Sequence, residues 1–356
     1  MYTRSVEEAP SHIIKNRKPV FGLFKGTPEH LDIKGLEAPF NGIPLPPFIT
    51  NLRIKARLTF FFNVGPYIGS IGFFDGKIFG FAEVMFWDKE SGKKLTYRSF
   101  MGPRFRFVPT RISNAVCVSF KKSRYIRISW DHKRDRLSVL FNVSGNSARA
   151  PSNAALIAHF NTAGTAEITT VSPAQTMRRC SATWFTFCAV HGAVSIGRSG
   201  PLPPVSMKDT DGLGLLVLNR SYYKLRTRGK TVTGIGTIDD HQIIFSFITT
   251  TLANSRNYDY NDNLLFSDGT LSPIPPVCIT HPFGLENQWV IQDTEGMVDL
   301  TFTPVSDNYR NFNAVALKTT YHVIYGKFTG VLTKSDGEKL QLRNFTGIVE
   351  ENMLRL

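Results

Sequence analysis

Alternation is the feature that most limits this chain. In Arg53-Ile54-Lys55-Ala56-Arg57-Leu58-Thr59-Phe60 the apolar side chains fall on Ile54, Ala56, Leu58 and Phe60, with polar residues between them. A period of two sends successive side chains to opposite faces of a pleated strand. The stretch therefore predicts a half-buried strand with a cationic outer face. The same pattern runs through Tyr125–Trp130 and Arg136–Val143, which flank the polar segment DHKRD as the arms of a hairpin. Further pairs are predicted at Trp289–Gln292 with Val298–Phe302 and at Tyr321–Leu332 with Lys339–Leu342. The second of these folds about Ser335-Asp336-Gly337, where glycine supplies the positive φ of a tight turn. Helical periodicity is scarce. Thr27-Pro28-Glu29, stopped by Gly35, reads as one short capped helix.

Many strands and almost no helix predict an all-β chain. At 356 residues, 42% of them hydrophobic, it has material for two lobes, each with its own core. Residues 1–45 are expected to form an extended N-terminal arm carrying the short helix. Residues 46–145 form a basic β lobe, and 154–356 a second β lobe with long loops at Gly197–Gly214 and Leu271–Gly284. Ser144–Asn153, small and polar with Pro151, is the expected divide. The uncharged stretch CSATWFTFCAVHGAVSIG is too short and too rich in Ser, Thr and Gly for a membrane span. It predicts a buried strand pair turning at His191-Gly192. The opening MYTRSVEEAP has no apolar secretory core, which points to an intracellular, cytoplasmic or cytoskeletal protein rather than a secreted one. Cys117, Cys180, Cys188 and Cys278 show no paired spacing, so neither a zinc module nor a disulfide scaffold is expected.

Charge is distributed unevenly. The net charge is +14, and residues 1–145 hold 24 Lys and Arg against 11 acids, a net of +13. The densest tract runs from Arg104 and Arg106 to Arg136. Within it Lys121, Lys122, Arg124, Arg127, Lys133, Arg134 and Arg136 are predicted to meet an acidic partner. A second cluster, free of acids, comprises Arg220, Lys224, Arg226, Arg228 and Lys230. Partners suited to such surfaces are an RNA-containing assembly, an acidic tubulin-like polymer such as a microtubule, or an anionic membrane. Motifs for chemistry are missing. Gly229-Lys230-Thr231 copies the end of a phosphate loop, but Lys224 stands where the loop needs its first glycine. The eight His show no ligand spacing, so no metal and no cofactor is expected. Asp259, Asp262 and Asp268 lie in a polar segment that can place a carboxyl at a cavity mouth, where burial raises its pKa.

The last third carries a combination of segments: Asn261-Asp262-Asn263-Leu264-Leu265, Asp268-Gly269, Trp289, Val298 to Pro304, Tyr325 to Gly330, Asp336-Gly337-Glu338 and Gly347 to Glu351. In that order they resemble a family known as a domain of unknown function, related to two-lobed lipocalin-like proteins of the carotenoid hydratase and AttH type. The resemblance covers residues 255–356 well and 50–255 loosely. It implies two packed antiparallel lipocalin-like barrel lobes, in a group whose members bind or transform isoprenoid-like and other hydrophobic molecules. By the same resemblance Arg179, Trp184, Asp262 and Asn263 converge on a ligand pocket or a structural clamp, with Arg179 paired to Asp262. The family's Asp before the aromatic strand is absent from SPAQTMRRCSATWFTF, and Cys180 replaces a Gly, so no catalytic residue is assigned. The expected function is a non-enzymatic binding or assembly protein that docks by its basic first lobe. The alternative is a binding protein for a hydrophobic, isoprenoid- or lipid-like ligand, or an enzyme acting on one.

Overall fold

A computed structural model describes residues 2–40, 45–102, 107–147, 149–197, 212–313 and 318–355. Arg104, Arg106 and most of the predicted loop Gly197–Gly214 lie outside the described residues. The arm contributes β1 (Val6–Glu8), β2 (Ile14–Lys15), β3 (Lys18–Pro19) and β4 (Gly22–Lys25), followed by the short helix α1 (Pro47–Leu52). The first lobe continues with β5 (Ile54–Val64), β6 (Tyr67–Asp75), β7 (Gly80–Asp88), β8 (Lys94–Met101), β9 (Asn114–Lys121), β10 (Arg124–Asp131) and β11 (Arg136–Val143). It is completed by β12 (Ser152–Ala158), β13 (Ala166–Ala174), β14 (Thr176–Ile196) and β15 (Gly212–Tyr222). The second lobe contains β16 (Arg226–Ile238), β17 (His241–Thr250), β18 (Leu264–Ser267), β19 (Thr270–Pro273), β20 (Val277–Thr280), β21 (Trp289–Asp293), β22 (Val298–Asn313), β23 (Lys318–Thr333) and β24 (Lys339–Arg355).

The chain is all-β and two-lobed. One sheet runs in the order β8-β7-β6-β5-β15-β14-β12-β11-β10-β9, with β13 and β4 branching from β14. The other runs β19-β18-β17-β16-β24-β23-β22-β21-β20. Both are antiparallel and curled, so each encloses a core; the arm adds one parallel pair, β1 with β4. Because strand side chains alternate, every strand buries a second face wherever the two sheets meet back to back. Leu23, Phe61, Trp87, Phe185 and Leu215 of the first sheet form that seam with Ile235, Phe266, Tyr325 and Ile348 of the second. Tyr325 stacks on Trp87 at 6.0 Å between ring centres.

Several expectations are corrected here. Ser144–Asn153 does not divide the lobes: β11 and β12, on either side of it, pair from Leu137↔Ala158 to Val143↔Ser152. The chain changes sheets between Tyr222 and Arg226. His191-Gly192 is not a turn. β14 is one strand of 21 residues that pairs with β13 and β15 in its first part and β12 in its last. The bend falls at Gly192, whose φ is +130° and where a Cβ would lie 2.0 Å from the Ala155 carbonyl oxygen. Nor is there a helix at Thr27–Gly35. Its backbone groups are taken by another segment: Leu31 N–H donates to Thr110 O at 2.8 Å and Ile112 N–H to Glu29 O at 3.2 Å. Tertiary pairing overrides the capping signal, and the helix forms instead at α1, with proline at its start.

The arm is tied down by the chain itself. Tyr2 is buried in the second lobe, where its hydroxyl donates to Tyr258 O at 2.6 Å. Ile13, Phe24, Leu31 and Ile33 then fill the hollow of the first sheet. Residues 2–36 therefore strap one lobe to the other.

In the second lobe Gly234, Gly347 and Gly326 stand side by side on β16, β24 and β23. Rings cover all three: a Cβ would lie 2.2 Å from Phe245, 2.1 Å from Phe328 and 2.5 Å from Phe302, respectively. This row lets aromatic rings lie directly on the backbone. Gly347→Ala is expected to lower unfolding free energy by about 1–3 kcal/mol in urea titration, the usual cost of overpacking. An unchanged midpoint would show that both the Phe328 ring and the Thr233 carbonyl give way freely.

Candidate functional site

Towards one end of the seam the side chains facing it change from apolar to polar, strand by strand. On β14 Phe187 and Phe185 give way to Thr183 and Ser181; on β15 Leu213 and Leu215 give way to Val217, Asn219 and Ser221. On β5 the series is Phe61, Thr59, Arg57, and on β24 it is Ile348, Glu350, Asn352. Short polar side chains fill less space than the rings they replace. The sheets therefore enclose a cavity of about 290 Å³ between them. Ser246, Ile248 and Leu252 from the second lobe line the opposite wall, together with Asn261, Asp262 and Asn263.

Asp262 is held by the first lobe although it belongs to the second. Its Oδ1 accepts from the Thr170 hydroxyl and its Oδ2 from the Thr183 hydroxyl, each at 2.8 Å. Asn219 Nδ2 supports this set by donating to Thr183 Oγ1 at 2.8 Å and Ser181 Oγ at 3.0 Å. Burial pushes the Asp262 carboxyl above its ordinary range, although the threonine hydroxyls and the charge of Arg4 pull the other way. Among the described residues no basic side chain forms an ion pair with it. Arg4 instead donates to the neighbouring Asn261 carbonyl at 2.8 Å. Asn263 has a different job: Nδ2 donates to Pro275 O at 2.9 Å, and Oδ1 accepts from Ile248 N–H at 2.8 Å. It clips the turn after β19 to β17.

Two ion clusters close the polar end. Arg57 makes a forked pair with Glu350, Nη1 to Oε2 and Nη2 to Oε1, both at 2.6 Å. The Tyr321 hydroxyl donates to Glu350 Oε1 at 2.8 Å and accepts from Arg57 Nη2 at 2.8 Å. Burial disfavours the Arg57 charge, but the adjoining Glu350 carboxylate overrides it and holds the pKa well above the usual value. Beyond Arg57 a smaller chamber of about 90 Å³ is lined by Phe74, Phe79, Phe81, Tyr223 and Leu354. Glu83 borders it, paired with Arg310 at 2.5 Å and Arg98 at 3.7 Å. Burial raises the Glu83 carboxyl against the pull of both guanidinium groups.

The structure brings only some of the expected residues together. Asp262 and Asn263 line the cavity, but Arg179 does not meet Asp262: its guanidinium lies over the Phe40 ring at 5.2 Å, so the expected clamp is absent. Trp184 points to the opposite face of β14, into the first-lobe core against Trp130, and donates to Glu167 Oε1 at 3.2 Å. The outer face of β5 is not a solvated cationic face. Lys55 is buried where α1 meets the β6–β7 turn and donates to two carbonyls there, and Arg57 meets Glu350 in the seam. Arg57, Glu350, Tyr321, Thr170 and Thr183 went unread because each belongs to an ordinary alternating strand. Only the sheet-to-sheet packing reveals their partners.

The basic tract also divides. Lys121 and Lys122 sit at the β9–β10 turn, while Lys133, Arg134 and Arg136 sit at or beside the β10–β11 turn, about 25 Å away along the strand. Arg124, opposite Lys121 at the start of β10, is buried and donates to the Tyr97 hydroxyl at 2.5 Å and to Ser119 Oγ at 3.1 Å. Arg127 is half-buried. A tract that is continuous in sequence thus forms two separate groups in space, and Arg124 is not available to a partner.

Residues 52–356 match the family model described as a domain of unknown function, DUF2804. The chain belongs to that family. The match contains every cavity-lining residue named above, whereas Tyr2, Arg4 and the rest of the arm lie before it. Among curated proteins none matches this DUF2804 chain. Solved structures similar to it include "Crystal structure of CghA with Sch210972", at 11% identity and a TM-score of 0.47, covering 94% of this chain and 98% of that one. Kievitone hydratase from Nectria haematococca is similar at 8% identity and a TM-score of 0.41, covering 89% of this chain and 94% of that one.

Proposed function

We propose that this chain binds a small organic molecule between its lobes, one with an apolar body and neutral oxygen-bearing groups. The placement of Asp262 carries this reading. A carboxyl whose pKa is raised by burial faces a cavity of about 290 Å³ and has no ion-pair partner among the described residues. Protonated, such a group donates to a carbonyl or hydroxyl oxygen; ionised, it accepts from a hydroxyl. Around it Ser181, Ser246 and Thr231 offer hydroxyls that turn to suit either role, and Phe61, Val217 and Ile248 supply apolar contact. Arg57, the only basic side chain among the described lining residues, is already neutralised by Glu350, so none of them selects a strong anion.

A second reading, turnover of that molecule, is favoured by the same carboxyl, because burial raises its pKa in the direction that suits general acid–base chemistry. Extraction of the native protein into organic solvent, with mass analysis of what is released, tests the first reading. Adding the recovered compound back should raise Tm. Val217→Trp, which fills the cavity, should weaken binding by at least about tenfold. Equal binding to Val217→Trp would move the ligand elsewhere. Loss of turnover with retained binding in Asp262→Asn would establish the second reading.

A further inference from the structure

Outside the cavity, one rim of the molecule exposes large apolar side chains from four separate elements. Phe48 on α1 is 68% exposed, Ile78 in the β6–β7 turn 59%, Phe100 on β8 61% and Leu225 before β16 67%. They are neighbours in space. Lys55 Nζ donates to Leu52 O at 2.8 Å and Gly76 O at 2.6 Å, which holds the end of α1 against the β6–β7 turn. Phe79, next to Ile78, stacks on Phe100 with 6.5 Å between ring centres. Tyr223 N–H donates to Arg53 O at 2.9 Å, and Arg53 returns its Nη2 to Tyr223 O at 2.9 Å, so the segment bearing Leu225 abuts the same helix end. On α1 itself Phe48, Ile49 and Leu52 share one face by helical spacing.

Charge on this rim has one sign. Lys224, Arg226 and Arg228 are exposed beside Leu225, and Arg226, Arg355 and Lys318 stand in register on three adjacent strands. In the segments 45–55, 75–79, 98–101, 223–228, 318–321 and 353–355 the sole acid is Asp75, which is buried and paired with Lys77 at 2.9 Å.

We infer that this rim is a docking surface for an anionic lipid bilayer. Protruding rings and aliphatic side chains on a helix and two turns enter the headgroup boundary, while flanking Lys and Arg are drawn to anionic lipid. The rim has the two signals that stable peripheral attachment requires, and its exposed charge, all of it positive, matches that surface. None of the described helices is long and apolar enough to cross a membrane. The inference stands apart from ligand binding. The smaller chamber nevertheless shares Phe79, Phe81, Tyr223 and Leu354 with the packing just beneath the rim.

Vesicle co-sedimentation of the full chain tests this. Binding is expected to phosphatidylcholine vesicles containing about one third phosphatidylserine, and to fall away on pure phosphatidylcholine or at about 0.5 M salt. Phe48→Ser with Phe100→Ser should weaken it by at least about tenfold, and Lys224→Glu with Arg226→Glu by a similar factor. Control substitutions on the other exposed apolar and basic faces, Phe120→Ser and Lys133→Glu with Arg134→Glu, should leave it unchanged. Should the aromatic variant fail to fold, the charge variant decides alone, since its side chains are exposed and make no core contact. Absence of vesicle binding, equal loss in the controls, or binding to RNA with the same dependence on Lys224 and Arg226 but not on Phe48 would overturn the inference. So would a dimer in solution that Phe48→Ser dissociates.

Discussion

Glu350→Ala is expected to lower the unfolding free energy by about 2–3 kcal/mol, below the roughly 3–5 kcal/mol of a fully buried pair because the Arg57 side chain is 32% exposed. Glu350 is almost wholly buried, with its side chain 1% exposed, and both its oxygens are engaged by Arg57 across the seam. Removing the carboxylate leaves a partly exposed guanidinium that keeps its hydrogen bond to the Tyr321 hydroxyl but loses its paired carboxylate. It also removes the acceptor of the Tyr321 hydroxyl. Urea unfolding at neutral pH measures the loss. Arg57→Met with Glu350→Leu should recover most of it, because a buried pair replaced by packed apolar groups is often neutral or better. Tyr321→Phe, which deletes one hydrogen bond but no charge, should cost only about 1 kcal/mol. A Glu350→Ala loss no larger than that of Tyr321→Phe would show that water screens the pair, and that the lobes separate more freely than their packing implies.

What could be read in the sequence followed from period. The alternation at Ile54–Phe60, the hairpin at Tyr125–Val143 and the Asp-Gly turn at Asp336-Gly337 depend on local geometry, and each forms as the pattern predicts. Alternation says which residues share a face but not what covers that face. On β5 the pattern assigns the polar set to water, but Lys55 is buried against the end of α1 and the β6–β7 turn, and the second lobe engages Arg57. The divide between lobes was sought in the small, polar segment around Pro151. It falls instead after Tyr222, where three exposed residues, Lys224, Leu225 and Arg226, link the sheets with no turn signature. Asp262 was singled out by its surroundings in the sequence, and it does reach the cavity. Its partners Thr170 and Thr183, 92 and 79 residues away, gave no sign, because hydroxyls on alternating strands are too common to mark a site. Charge density misled in a similar way: Arg124 counts towards a basic tract in sequence but spends its charge inside the first lobe on Tyr97 and Ser119.

Asp262→Asn is expected to stabilise the protein above neutral pH, by about 1–3 kcal/mol, rather than to weaken it. Were Asp262 the partner of a buried arginine, the amide would strand that cation and stability would fall. Arg179 lies over Phe40 instead, and burial raises the Asp262 carboxyl. A folded-state pKa above the unfolded value, about 3.9 for an aspartate, means the folded protein holds the proton more tightly. The carboxyl therefore imposes no penalty while it is protonated in both states. The penalty grows as pH rises from the unfolded pKa to the folded one and is constant above that. Asparagine removes the charge yet keeps both contacts, accepting from one threonine hydroxyl through Oδ1 and donating to the other through Nδ2. The difference in stability between variant and wild type, followed from pH 3 to pH 9 by urea unfolding, should therefore start near zero and rise to a plateau. His132 and His241, whose pKa values are also raised, and Glu83 are present in both proteins and cancel in that difference. A variant less stable than wild type at pH 8, with no such rise, would mean that Asp262 is ionised and held by a cation, and the neutral-ligand reading of the cavity would fall with it.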